Sequence, residues 1–127
     1  DMMPFRVTES ILSQTEIPVF GQGEMERDWT YIDDLVSGFV AAIDKPLGYE
    51  IINLGRGNPV SLSKFMDTIQ EVIGKKAIIK NVPTPDSEVP RTYADISKAK
   101  SLLGYNPKVD LAEGLENFWS WYQSTLK

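Results

Sequence analysis

The chain has 127 residues, with 13 lysines and arginines against 18 aspartates and glutamates, a net charge of −5 and neither histidine nor cysteine. This length fits one domain that buries roughly two-thirds of its unfolded surface. The scattered, net acidic charge argues against a nucleic acid or an anionic membrane as partner. Without cysteine or histidine there is no disulfide framework, thiol nucleophile, thiolate or imidazole metal site, or histidine base. No apolar run approaches the ~20 residues of a membrane-crossing helix, and the start has no signal-peptide pattern. The expectation is a soluble, cytoplasmic protein.

The elements alternate along the chain. Pro4 suits the first turn of a helix over residues 4–14, with Phe5, Thr8, Ile11 and Leu12 on one face. "IPVFGQG" predicts a short strand ended by glycines, and 21–25 a loop. "WTYI" predicts a brief extended segment before a helix capped by Asp33, with Ile32, Val36, Phe39, Val40 and Ile43 at helical spacing.

"YEIINLG", residues 49–55, has the nearly continuous apolar centre of a strand covered on both faces. Ser61 caps a helix with Leu62, Phe65, Met66, Ile69, Val72 and Ile73 inward, and Gly74 stops it. "AIIKNVP" is a further strand, "PTPDSEVP" an irregular loop, "DISKAKSLLG" a short helix stopped by Gly104, and "YNPKV" a turn. Asp110 and Glu113 form a capping box for a last helix with Leu111, Leu115, Phe118, Trp119 and Tyr122 inward. Alternating strands and helices give an α/β fold. The opening "DMMPF" and the finished-looking final helix make the chain read as the back portion of something longer.

Chemistry is sparse. "GQGEME" and "GRGNPV" each carry two glycines of a GxGxxG turn and lack the third, so each reads as a phosphate cradle or as a plain turn. No Tyr-x-x-x-Lys pair and no nucleophile elbow occurs. Asp33–Asp34 reads as helix capping sooner than as an acid/base couple. Arg27, in "ERDWTYIDDL", is either paired with its acidic neighbours Asp28 or Asp33 or held to receive an anion. A guanidinium suits the second task because it makes paired, charge-assisted bonds to phosphate and cannot lose its proton.

The ordered segments "PVFGQGEMERDWTYIDDLVSGFVAAI", "YEIINLGRGNPVSLSKFMDTI" and "VPRTYADISKAKSLLGYNPKVDLAEGLENFWSWY" resemble the C-terminal portion of the extended short-chain dehydrogenase/reductase family. Among its NAD-dependent epimerases and dehydratases, the wording looks most like UDP-glucuronate 4-epimerases. The resemblance implies that residues 1–127 are a substrate-binding portion: a small α/β lobe plus elements, the 49–55 strand and the helix before it, that complete a Rossmann sheet. NAD and the catalytic serine/threonine, tyrosine and lysine then belong to an N-terminal domain outside this chain. The parent epimerises a UDP-sugar through a 4-keto intermediate, while this chain alone is inactive and exposes apolar surface prone to self-association or homo-oligomer formation.

Position by position, Arg27 matches the family arginine on the substrate diphosphate. Phe20 and the Pro18 backbone match the strand along the uracil. Glu88 falls where the family has an aspartate reaching the ribose, one methylene shorter. Two departures stand out: Glu26 occupies a place that is often basic, and Pro85 a place that is arginine in hexose 4-epimerases. The alternatives are a stand-alone, non-catalytic binding module, or a parent that is a nucleotide-sugar dehydratase or decarboxylase.

Overall fold

A computed structural model describes residues 2–125. Helix α1 (Met3–Ser13) starts with proline in its first turn and ends where Gln14 turns left-handed at φ 53°. Strand β1 (Glu16–Phe20) follows, then the two-residue strand β2 (Glu26–Arg27) and helix α2 (Ile32–Asp44). Strand β3 (Val60–Ser61) leads directly into helix α3 (Leu62–Ile73), followed by strand β4 (Ile78–Val82) and helices α4 (Ser97–Leu103) and α5 (Leu111–Thr125). The mixed α/β class read from the sequence holds.

β1 and β4 run parallel in register from Glu16↔Ile78 to Phe20↔Val82. Along β1 the side chains alternate, with Ile17 and Val19 buried and Glu16 and Pro18 exposed, so one face of this small sheet meets the core. Helix α3 supplies the largest share of that core. Its spacing puts Leu62, Phe65, Met66 and Ile69 inward, against Val7 and Ile11 of α1 and Leu115 of α5. The Ser61 hydroxyl accepts a hydrogen bond from the Lys64 N–H at 3.2 Å, and Gly74 closes the helix at φ 75°. Full burial of a side chain the size of Phe65 is worth about 2–3 kcal/mol.

A second, smaller cluster gathers Ile96, Ala99, Leu103 and Tyr105, with Ala41, Ile52 and Leu54 packed against it. The Tyr105 hydroxyl donates to the Gly55 carbonyl at 2.9 Å. Burial, reinforced by the nearby charges of Asp34 and Asp28, pushes its pKa above the ordinary 10.0.

Four sequence expectations are corrected. Residues 49–55 form no strand: Ile52 and Leu54 turn to the second core while Tyr49 and Ile51 are exposed, so the segment is covered on one side and not on both faces as expected, and no strand pairs with it among the described residues. A strand needs a neighbour for its backbone groups, and here none is supplied. "WTYI" is not a strand either. The pairing lies just before it, where Glu26–Arg27 runs antiparallel to Val60–Ser61, and Trp29 instead stacks on Phe65 at 4.2 Å between ring centroids.

Nor does Asp33 cap α2, whose N-cap is Tyr31 with no side-chain bond. Its neighbour Asp34 is the working acid: buried, it accepts from the N–H groups of Lys108 and Val109 at 2.9–3.0 Å and ties α2 to the segment entering α5. The capping box of α5 is formed on one side, with the Glu113 N–H donating to Asp110 at 2.9 Å. Finally, the short helix predicted from Asp95 begins at Ser97, with Asp95 accepting from the Ser97 N–H at 3.0 Å.

Candidate functional site

One cleft of about 440 Å³ collects all four residues singled out from the sequence, Pro18, Phe20, Arg27 and Glu88. They arrive from three elements. β1 ends in Phe20 and carries Pro18, whose missing N–H costs nothing beside a single strand partner. β2 holds Arg27, and the proline-bearing loop after β4 brings Glu88, whose N–H closes a turn onto the Pro85 carbonyl at 3.0 Å. Met25, Trp29 and Leu62 give the cleft an apolar wall.

Arg27 is half-buried and held by main chain. Its Nη1 donates to the carbonyls of Glu26 and Val89, both at 2.9 Å, and Nη2 donates to a Glu88 carboxylate oxygen at 3.0 Å. The partner is therefore neither Asp28 nor Asp33, the two neighbours weighed from the sequence. Asp28 is taken up elsewhere: its carboxylate accepts from the N–H groups of Gly57 at 3.0 Å, Asn58 at 3.2 Å and Ala94 at 3.1 Å, pinning two loops to the end of β2. Glu26, unexplained in sequence, forms an ion pair with Arg91 at 2.9 Å, and its backbone bridges to the same residue. Local charge around Arg27 is thereby consumed in pairs, which leaves Glu88 as its only charged partner among the described residues.

Arg6 is the residue that sequence reasoning missed. It lines the same cleft from α1, the second arginine among the lining residues. The signal was its spacing from Met3, three residues earlier on the same helix face and also lining the cleft. Trp29 was read only as part of an extended segment. Its indole N–H is buried without a hydrogen-bond partner, and the ring divides this cleft from an apolar one of about 440 Å³ against Leu111 and Phe118.

The paired glycines are turns. A side chain at Gly23 would meet the Ser63 backbone N at 2.9 Å, one at Gly55 the Ala94 Cβ at 2.6 Å, and one at Gly57 the Ile96 Cδ1 at 2.9 Å. Close packing at these three positions is what requires glycine there. Among the described residues no group of three or more acidic side chains is placed to hold a metal, and no helix is long and apolar enough to cross a membrane.

Comparisons with known proteins give the family. The chain is 48% identical over 122 residues to an uncharacterized protein of Methanocaldococcus jannaschii, covering 96% of this chain and 37% of that protein. It is 42% identical over 128 residues to the UDP-glucuronate 4-epimerase of Thermodesulfobacterium geofontis, covering 100% of this chain and 39% of the relative. The crystal structure of the Bacillus cereus UDP-glucuronic acid 4-epimerase with UDP-glucuronic acid and NAD superposes with a TM-score of 0.90 at 35% identity, over 98% of this chain and 40% of that one. The chain thus spans about two-fifths of the length of these relatives. Residues 3–118 match the family model described as GDP-mannose 4,6 dehydratase, and the chain belongs to that family of extended short-chain dehydrogenase/reductase proteins, with UDP-glucuronate 4-epimerases among its relatives.

Proposed function

We propose that this chain is the UDP-sugar-binding portion of an NAD-dependent nucleotide-sugar 4-epimerase, of the kind that interconverts UDP-glucuronate and its 4-epimer. The observation that carries the reading is the convergence of Pro18, Phe20, Arg27 and Glu88 on one cleft. Phe20 and the Pro18 backbone flank the base, Arg27 engages the diphosphate, and the Glu88 carboxylate accepts from the ribose hydroxyls. The sequence contains neither Tyr-x-x-x-Lys nor a complete GxGxxG, so NAD and the hydride chemistry it supplies are assigned to a domain outside this chain.

The apolar face of α2 supports the same division. Ile32, Phe39, Val40 and Ile43 are at least half exposed, and the neighbouring 49–55 segment has no strand partner among the described residues. A helix face and an unpaired segment side by side are what one edge of a larger parallel sheet looks like without the rest. Left uncovered, such a face promotes self-association.

Calorimetry with UDP on the wild type and on Arg27→Ala tests the reading. Hydrogen bonds to a charged group are worth about 1.5–3 kcal/mol, so the substitution should weaken UDP by about tenfold or more. A change of less than about fivefold removes Arg27 from the diphosphate. Because the family model is described by a GDP-sugar dehydratase, GDP titrated in parallel separates the two parents: the epimerase reading expects UDP to bind more tightly.

A further inference from the structure

The Arg27–Glu88 pair has a consequence for how the cleft accepts a ligand. Arg27 has no freedom to swing away from Glu88, because Nη1 is fixed by two main-chain carbonyls, those of Glu26 and Val89, at 2.9 Å each. Nη2 is the part of the group that faces a charge, and that charge is the Glu88 carboxylate at 3.0 Å. The other acids nearby are occupied, Glu26 by Arg91 and Asp28 by three backbone N–H groups. Glu88 differs from them in its backbone support. Its main chain is held by the turn to Pro85, while its side chain, 35% exposed, bonds to Arg27 alone among the described residues.

We propose that Glu88 is a built-in competitor for the anion site, occupying the phosphate position on Arg27 until a diphosphate displaces it, and that its carboxylate therefore sets which anions the cleft admits. The inference rests on the reading of Arg27 as the diphosphate ligand. A half-exposed ion pair of this kind is worth up to roughly a fivefold bias in an equilibrium, a modest barrier that selects among anions. A monovalent carboxylate offers Arg27 nothing that Glu88 does not already supply. A diphosphate brings more charge and more acceptor oxygens, and Arg6, which lines the same cleft, is a second cation available to it. Displacement is a side-chain rotation about two or three bonds, so the cleft opens with no backbone change.

The test is calorimetry of the chain with inorganic pyrophosphate and, separately, acetate, at low and high sodium chloride. The proteins are the wild type, Glu88→Gln, Glu88→Asp, Arg27→Ala and the Arg27→Ala/Glu88→Gln double variant, with circular dichroism melts to verify folding. Glu88→Gln keeps the shape and removes the charge, and is expected to bind pyrophosphate about two- to fivefold more tightly than wild type. Its advantage should shrink as salt screens the pair. Glu88→Asp keeps the charge but draws it back, and should fall between the two. Acetate should bind measurably only when Glu88 is neutralised, and the double variant should lose the gain.

Equal or weaker pyrophosphate binding by Glu88→Gln, while Arg27→Ala still weakens it, overturns the competitor role and leaves the Arg27 reading standing. Binding that is insensitive to Arg27 in both backgrounds overturns the Arg27 reading and the competitor with it. Failure of folded Glu88→Gln to take up pyrophosphate at millimolar concentration also overturns the proposal, because an uncovered guanidinium would then hold no anion.

Discussion

Asp28→Asn should destabilise the fold by about 2–3 kcal/mol, although the residue is half-exposed and belongs to no core cluster. Its carboxylate is a junction. Oδ2 accepts from Gly57 at 3.0 Å and Ala94 at 3.1 Å, and Oδ1 accepts from Asn58 at 3.2 Å, so one side chain ties the loop after residue 54 and the segment before α4 to the end of β2. Asparagine retains one acceptor oxygen. Placed at the Oδ2 position it preserves two bonds, but its amide then faces the Asn58 N–H, donor against donor. One charge-assisted bond of about 1.5 kcal/mol is lost, and two others drop to neutral strength at about 0.5 kcal/mol each. For a domain of this size the loss corresponds to a fall in Tm of roughly 6–12 °C. Urea denaturation followed by circular dichroism measures it, with Asp33→Asn as the control, since Asp33 is exposed and makes no side-chain bond at the helix start. The control should lie within about 0.5 kcal/mol of wild type. If the two aspartates cost the same, or Asp28→Asn costs less than about 0.5 kcal/mol, the junction is not what holds these loops.

Two further outcomes follow from burial. Tyr105 keeps its proton more tightly when folded than when unfolded, because burial and nearby acids disfavour the phenolate. Its contribution to stability is therefore fully present below pH 10.0, the ordinary value, and is lost as pH rises through the raised folded pKa. Denaturation between neutral pH and about pH 11 should show this alkaline loss in the wild type and a shallower slope in Tyr105→Phe; equal slopes assign the loss to other groups. On α2, Ile43 is 79% exposed, so Ile43→Glu should change stability by less than about 0.5 kcal/mol while reducing self-association in sedimentation velocity. A loss above about 1.5 kcal/mol shows that this face is already packed in the chain itself.

The sequence by itself determined the elements whose signals are local. Proline in the first turn of α1, Ser61 and Gly74 at the ends of α3, and the inward spacing of Leu62, Phe65, Met66 and Ile69 all act within one or two helical turns, and all are present. The Pro18, Phe20, Arg27 and Glu88 set was also legible, through the order of motifs along the chain, and the four residues meet in one cleft. Tertiary structure alone decided which acid does what. Asp28, Asp33, Asp34, Glu26 and Glu88 are interchangeable as letters, because a carboxylate's role depends on which donors the fold brings within about 3 Å. Asp34 became a buried clasp, Asp28 a loop junction, and Glu26 the partner of Arg91, 65 positions away by sequence number. Arg27, apparently crowded by neighbouring acids, is paired across the cleft with a residue from a distant loop. The 49–55 segment marks the converse limit: its apolar, β-rich centre is written in the sequence, but a strand exists only when a second strand satisfies its backbone.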